Sequence, residues 1–433
     1  MTEPVPADAF PLPPVAERFC RYVRIDTTSD PDSDTTPSTD RQKTLGRLLA
    51  GELAALGVAA ELAGTGVVYA AVPAPTPTDA PPLGLVAHVD TSPDAPGAGV
   101  TPLVHPSYAG GRVALPAAPD LDLSPDSSPA LAHAIGHDVI TSDGSTLLGS
   151  DDKAGVAVIM ELVAELVRTE ADARRRGEAP APRPELRLLF TPDEEIGRGT
   201  DAVDLDRFGA AVAYTLDGST LDTLNVETFS AAEARLTVTG VGVHPGYAHG
   251  VMVNALRVAA AFVEALPADQ APETTRDRQG YLHPHSLTGN VERAEVRVLL
   301  RDFEAEGLDR FKRLVREVRD QLAAAHPKAT LSLAITDSYT NMRSAIEAAM
   351  PAAISVAHEA ARSIGVDLRE SPIRGGTDGA HLTALGIPTP NVFTGGHEFH
   401  SRREWNTVQN LGRCLAYTRA LVHAWGRHAA RHA

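Results

Sequence analysis

Four short stretches, at residues 83–87, 185–190, 211–216 and 390–393, are apolar and are each followed at once by acidic, His or Gly residues. Runs of this kind predict strands buried on both faces. Around them, apolar positions recur at helical spacing over 41–56, 154–168, 345–364 and 409–428. Strands alternating with amphipathic helices predict an α/β fold, a mainly parallel sheet with helices on both faces. In such sheets the chemistry gathers at the carboxyl ends of the strands.

Residues 234–336 follow a different pattern. Segment 234–239 alternates like a half-buried strand, and 253–266 is helical. A hairpin over 282–291 and 294–301, a helix over 307–325 and a strand over 330–336 complete the order β-α-β-β-α-β. That order predicts a smaller domain set into a larger one: 1–225 and 341–433 form the larger domain, and 226–340 the insertion. The Pro-rich stretch 73–82 and the Arg- and Pro-rich stretch 171–184 are read as surface loops, the second breaking a long helical pattern.

Composition narrows the function classes. The chain has 433 residues, with 39 Lys and Arg against 56 Asp and Glu, for a net charge of −17. Such an acidic surface repels phosphate backbones and argues against a nucleic-acid partner. Two cysteines, Cys20 and Cys414, form no CxxC pair and point to a reducing cytoplasm without a thiolate metal site. No apolar run reaches the ~18 residues of a membrane span, so the expectation is a soluble protein with no membrane partner.

Five strand or turn ends carry candidate chemistry. In the first, His88 and Asp90 lie two apart in an extended segment and face the same side. A metal-bound imidazole usually has its second nitrogen held by a carboxylate or carbonyl. Asp151 and Asp152 follow a Gly turn at the start of a helix, where Asp is also an ordinary N-cap. Asp193, Glu194 and Glu195 leave a strand as three consecutive acids, whose repulsion in an enclosed site calls for cations. Asp217 ends a fourth segment, and His397 and His400 follow a Gly-Gly turn in the fifth. Each alone is unremarkable, an acid in a solvated turn or a surface His. Together, two imidazoles and three carboxylates suffice for a pair of divalent ions with one carboxylate bridging. The donor set suits zinc, cobalt or manganese. An additional acid beside them would act as general base, and the implied reaction is amide hydrolysis.

The strings AHVDTSPD (87–94), LLGSDDKAGVA (147–157), FTPDEEIGRG (190–199), YTLDG (214–218), GVHPGYAHGVMVNAL (242–256), SYTNMR (338–343), IRGGTDGAHL (373–382) and NVFTGGHEFH (391–400) resemble the peptidase T family. That family is the tripeptide-aminopeptidase branch of the dinuclear-zinc aminopeptidase and carboxypeptidase superfamily. The resemblance covers nearly the whole chain and implies two zinc ions per subunit. It implies that His88, Glu195, Asp217 and His400 each bind one ion, that Asp151 bridges both, and that the Asp151–Asp152 peptide is cis. It further implies that Asp90 orients His88 and that Glu194 is the general base; spacing alone leaves the roles of Glu194 and Glu195 interchangeable. The inserted domain would be a lid and dimer contact, with His244 reaching the substrate carbonyl. Asn254, Arg343 and Arg374 would bind substrate. His105, His133, His137, His249, His283 and His285 match no ligand position, and surface or turn roles are expected for them. His397 lies three residues from a proposed ligand and could shape the surroundings of the pocket.

The leading expectation is therefore a cytoplasmic, homodimeric aminopeptidase acting on unblocked tripeptides. A dipeptidase or N-acyl-amino-acid deacylase on the same scaffold would differ in which substrate end is held. An inactive peptide-binding protein is the remaining alternative, and the intact set of candidate ligands argues against it.

Overall fold

The computed structural model describes residues 4–432. The chain divides into two compact units: one comprises residues 1–226, 345–371 and 377–433, the other 227–344 and 372–376.

The first unit is built on an eight-stranded sheet. Its order is Arg369–Ile373, Thr223–Thr228, Asn391–Phe393, Val212–Gly218, Leu83–His88, Leu186–Thr191, Val68–Val72, Ala59–Leu62. The four strands expected from apolar runs are the four central ones, and each pairs in parallel with its neighbour. Antiparallel strands flank them on both sides. Alternation of side chains sends the two faces of this sheet to different helices. Val86, Leu189 and Ala213 pack with Phe208 and Leu382. Tyr214 points the other way, where its hydroxyl donates to Ala353 O (2.6 Å) and accepts from Trp425 Nε1 (3.1 Å). Helices thus cover both faces, as the sequence pattern predicts.

The helix predicted at 154–168 runs from Ser150 to Arg175. The one predicted at 345–364 is two, Arg343–Ala349 and Ala352–Ser363, separated at Met350-Pro351, where the proline cannot donate to a continuous helical ladder. The stretch 171–184 is only partly a surface loop. Arg183 is fully buried, with Nε 2.7 Å from Glu170 Oε1 and Nη1 donating to Val72 O and Pro184 O. A buried guanidinium needs such a set of acceptors to remain charged.

A second, four-stranded sheet has the order Val5–Pro6, Leu103–His105, Val139–Thr141, Trp405–Thr407. Its strands are only two or three residues long, below the length at which alternation is readable. It contains His105, which contradicts the surface or turn role expected for that residue. His105 is 4% exposed, with Nε2 2.9 Å from Thr141 Oγ1.

The second unit is a four-stranded antiparallel sheet, Tyr281–Gly289, Arg293–Asp302, Ser230–Thr239, Thr330–Tyr339 in spatial order. Ala232, Ala234, Leu236 and Val238 share its buried face with Ala294, Val296, Val298 and Leu300. The helices Ala255–Glu264 and Ala305–Ala325 close that face through Val258, Phe262, Phe311 and Val315. Pro284 is accommodated because it lies on an edge strand, at a register shift. Among the described residues no helix is long and apolar enough to cross a membrane.

Burial pushes the His105 imidazole down to about 4. The unfolded chain, with its histidine near ~6.5, therefore binds the extra proton first, and stability falls as pH drops from about 6.5 toward 4. His105→Gln is expected to lose up to about 3 kcal/mol less than the parent over that interval. Urea unfolding at pH 7 and pH 4.5 measures the difference.

Candidate metal centre and active site

Seven of the expected site residues, His88, Asp90, Asp151, Glu194, Glu195, Asp217 and His400, come from five separate segments of the first unit and converge at the carboxyl end of its central strands. His88 is the last residue of its strand and is 2% exposed. Its Nε2 lies 2.9 Å from Asp151 Oδ1 and 3.7 Å from Asp217 Oδ1. On the far side of Asp151, His400 Nε2 lies 3.5 Å from Asp151 Oδ2 and 2.8 Å from Glu195 Oε2. Asp151 therefore turns one oxygen toward each histidine. The Asp151–Asp152 peptide is cis.

Each histidine has its other ring nitrogen near a second carboxylate. His88 Nδ1 is 3.4 Å from Asp90 Oδ1 and 3.2 Å from the Asp90 carbonyl oxygen. His400 Nδ1 is 3.3 Å from Asp94 Oδ2. Asp90, fully buried, also accepts from the backbone N–H of Glu194 (3.0 Å) and of Glu195 (3.2 Å). One carboxylate thus holds the His88 ring and the loop that presents both glutamates. Asp193 does not join its two neighbours. With φ of 61° it faces away, where it accepts from Ser38 N (2.7 Å) and Gln42 Nε2 (2.6 Å). The repulsion expected of three consecutive acids is thereby reduced to two.

The electrostatics of the cluster are those of acids short of cations. Burial alone would lower the His88 pKa, but hydrogen bonds to Asp151, Asp217 and Asp90 carry it well above its ordinary value. Hydrogen bonds to Asp151 and Glu195 push His400 up to about 11. Burial, then the charge of Asp151, pushes Glu195 up to about 8; burial raises Asp217 to about 6. Removal from water and the charge of Asp217 hold Glu194 well above the carboxylate range. Asp151 alone moves down, because its hydrogen bonds from His400 and His88 outweigh its burial. Among the described residues, the ion-pair partners of Asp151, Asp217 and Glu195 are these two imidazoles, which draw protons accordingly. Glu195 Oε1 is buried without a hydrogen-bond partner. Ligand atoms of His88, Asp151 and Glu195 lie within 4.8 Å of one another, as do those of His88, Asp152 and Asp217. A hard, oxygen- and imidazole-binding divalent ion fits this donor set, and both cysteines are buried elsewhere with free thiols.

Three buried acids near the site were assigned no ligand or catalytic role from sequence. Asp152 accepts from His88 N (3.3 Å) and Gly155 N (3.1 Å). Asp378 accepts from Thr191 Oγ1 (2.6 Å), and a side chain on Gly199 would collide with it. Glu404 accepts from three backbone N–H groups, those of Leu148, Gly149 and Asp151. Asp152 reads in sequence as an N-cap and Glu404 as one more charge in SRRE, so only the strings around Asp152 and Asp378 offered a signal. His397 stacks on Trp405, ring centroids 4.4 Å apart, and burial pushes it down to about 4.

The remaining expected residues stand in the second unit. His244 is exposed and its Nδ1 accepts from Gly246 N. Asn254 caps the helix Ala255–Glu264, its Oδ1 accepting from Leu256 N (3.0 Å). Arg343 begins the helix Arg343–Ala349. Arg374 donates to Asp277 O, Gln279 O and Thr275 Oγ1 and lies over the rings of Phe229 and Tyr281.

A parallel-centred α/β unit with acids and histidines at its strand ends, joined to a small antiparallel β-α-β-β-α-β unit, defines a class of peptidase. The peptidase dimerisation domain family matches residues 226–330, which cover most of that second unit. Over 398 residues the chain is 42% identical to peptidase T of Geobacillus sp. strain WCH70, spanning 92% of this chain and 95% of the relative. The chain belongs to the peptidase T family and is a peptidase. Its fold is similar to the crystal structure of the aminopeptidase PepT from Bacillus cereus, with a TM-score of 0.71 at 20% identity, covering 95% of this chain and 98% of that one. A tripeptidase from Staphylococcus aureus matches equally well, with a TM-score of 0.71 at 20% identity over 96% and 98% of the two chains.

Because Asp90 holds both His88 and the loop of the two glutamates, Asp90→Asn is expected to lower peptidase turnover by ~10–100-fold. Circular dichroism of the variant should match the parent, and a steady-state peptide assay reads the loss.

Proposed function

We propose that this chain is a dinuclear-metal aminopeptidase, zinc-dependent and dimeric, that removes the N-terminal residue from unblocked tripeptides in the cytoplasm. The observation that carries the reading is the position of Asp151, whose two oxygens face two separate histidine–carboxylate pairs, His88 with Asp217 and His400 with Glu195. A carboxylate so placed is suited to bridging two ions, with each pair completing one position. Held by these residues, divalent ions would supply Lewis-acid polarisation of a peptide carbonyl and activation of water.

The chain's own residues supply the rest. Asp90 holds His88 through Nδ1, leaving Nε2 aimed at Asp151. Glu194, fixed through its backbone N–H by Asp90, takes the proton of the attacking water and passes it to the departing amine. His244 donates a hydrogen bond to the developing oxyanion, an interaction worth ~10²–10³ in rate. Arg343, Arg374 and Asn254 form the substrate-binding group, and a guanidinium is the natural partner of a tripeptide's carboxylate. The N-terminal restriction and the tripeptide length are supported by membership of the family and by the tripeptidase of similar fold. The match of a dimerisation domain supports the homodimer. Two buried free thiols suit a reducing compartment and support the cytoplasmic placement.

Release of free amino acid from matched di-, tri- and tetrapeptides and an N-acetylated tripeptide, with metal assayed on the same sample, tests the whole reading. Tripeptide-selective cleavage with about two metals per chain is expected; preference for the acetylated substrate would replace it with a deacylase. Glu194→Ala is expected to keep its metals and its affinity for peptide while turnover falls ~10²–10⁴-fold. Loss of metal instead would exchange the roles of Glu194 and Glu195. Asp151→Ala is expected to leave both metal positions empty by elemental analysis, and a fully loaded variant would refute the bridge.

A further inference from the structure

Glu404 lies four residues beyond His400 and is 2% exposed, and among the described residues its carboxylate hydrogen-bonds to backbone N–H groups. The hydrogen bonds of its carboxylate go to another loop. Oε2 accepts from Leu148 N at 2.8 Å and from Gly149 N at 2.7 Å, and Oε1 accepts from Asp151 N at 3.0 Å. These N–H groups sit at or just before the start of the helix Ser150–Arg175, where no carbonyl one turn earlier exists to receive them. Leu148 and Gly149 are buried, so water does not serve them either, and a buried N–H must find an acceptor. A single carboxylate satisfies three donors at once, and such charge-assisted bonds are the strong kind.

We infer that Glu404 is a positioning residue for Asp151. By gripping the backbone on both sides of Ser150, it sets the direction in which the Asp151 carboxylate leaves the chain and keeps one oxygen on each histidine. A second hold comes from the same stretch: Asn406 Nδ2 donates to Ser150 Oγ at 2.9 Å. The segment carrying Glu404 is itself pinned to the His400 turn. His397 and Trp405 exchange backbone hydrogen bonds, His397 N to Trp405 O at 2.9 Å and Trp405 N to His397 O at 3.1 Å. Glu404 N donates to Ser401 O within the loop so closed. The loop bearing His400 and the loop bearing Asp151 therefore move as one piece, with Glu404 as the joint between them. The inference rests on the metal reading of the site proposed above, since its consequence is the geometry of a two-ion centre.

The test is a zinc titration by calorimetry of chelator-stripped protein, for the parent and for Glu404→Gln, Glu404→Asp and Glu161→Gln. Glu161 is a buried acid on the same helix that pairs with Arg18, so its variant reports loss of a buried acid away from the site. Glu404→Gln places an amide NH₂ against at least one backbone N–H and is expected to weaken zinc binding by ~10–100-fold. Glu404→Asp keeps the charge with one methylene less of reach and is expected to recover part of that loss. If Glu404→Gln does not fold, Glu404→Asp still reports a weakened affinity against the parent. Thermal melts of the metal-free proteins accompany the titrations, and Glu161→Gln is expected to lower the melt while binding zinc like the parent. Parental affinity in a folded Glu404 variant overturns the inference and leaves the metal reading standing. Equal weakening by Glu161→Gln also overturns it, because the effect would then be general loosening. A parent that takes up no zinc overturns the metal reading and this inference with it.

Discussion

Buried carboxylates crowd the carboxyl end of the central sheet, and every other feature of the site follows from how their charge is met. Asp90, Asp152, Asp378 and Glu404 are each almost wholly withdrawn from water, as is the Glu195 side chain, with Asp151 and Asp217 close by. Such groups are costly unless they are hydrogen-bonded or paired. The chain divides them into two sets. Asp90, Asp152 and Glu404 hand their oxygens to backbone N–H groups, and Asp378 hands one to the Thr191 hydroxyl. Asp151, Asp217 and Glu195 are instead left facing two imidazoles. The first set is stabilised by fixed dipoles of the fold. The second is stabilised only by something positive, and this is the set that the family resemblance implies as ligands. The one buried lysine nearby, Lys153, does not meet that need, because its ammonium donates to Ile25 O instead.

The same division explains why loops from distant parts of the chain keep their register. His88 ends a strand, but its backbone N–H is held by Asp152, from a helix start more than sixty residues later. The glutamate loop is held by Asp90, and the Asp151 loop by Glu404. Three of the five segments that present a candidate ligand are thus gripped by an acid that the proposed centre does not use as a ligand. Close approach of the backbone assists. A Cβ on Gly155 would fall 2.2 Å from Leu216 O, so glycine there lets the helix start lie against the strand that bears Asp217.

Much of this was legible in the residues, and what was not has definite physical reasons. The four central strands are buried on both faces and declare themselves as unbroken apolar runs, while the helices of both units show the 3.6-residue repeat. The small sheet of Val5–Pro6, Leu103–His105, Val139–Thr141 and Trp405–Thr407 is invisible because strands of two or three residues hold less than two periods. Arg183 was hidden by its Pro-rich company, which resembles a solvated loop until Glu170 is found beside it in space. The pattern of residues marks acids and histidines at strand or turn ends as candidate chemistry, whereas the assignment of His88, Asp151, Glu195, Asp217 and His400 as ligands comes from the family resemblance, spacing leaving Glu194 and Glu195 interchangeable. Glu404 could not be found, because a carboxylate that serves the backbone amides of a loop some 250 residues earlier leaves no local periodicity or spacing.

The residues proposed for the metals and for the substrate divide between the two units. All seven residues proposed for the metals, the base and its orienting acid belong to the first unit, and their mutual distances are complete within it. His244, Asn254, Arg343 and Arg374 belong wholly to the second, where Asn254 and Arg374 already have local hydrogen-bonding work as a helix cap and as a bracket across 275–279. On the proposed roles, metal binding would rest on the first unit's internal packing, and the residues proposed for peptide recognition belong to the second. Substitutions in the two units should separate into those that change metal loading and those that change KM or kcat with the metals in place. The acids of the first unit are held by backbone donors of that same unit, so their arrangement is set without any described residue of the small antiparallel unit.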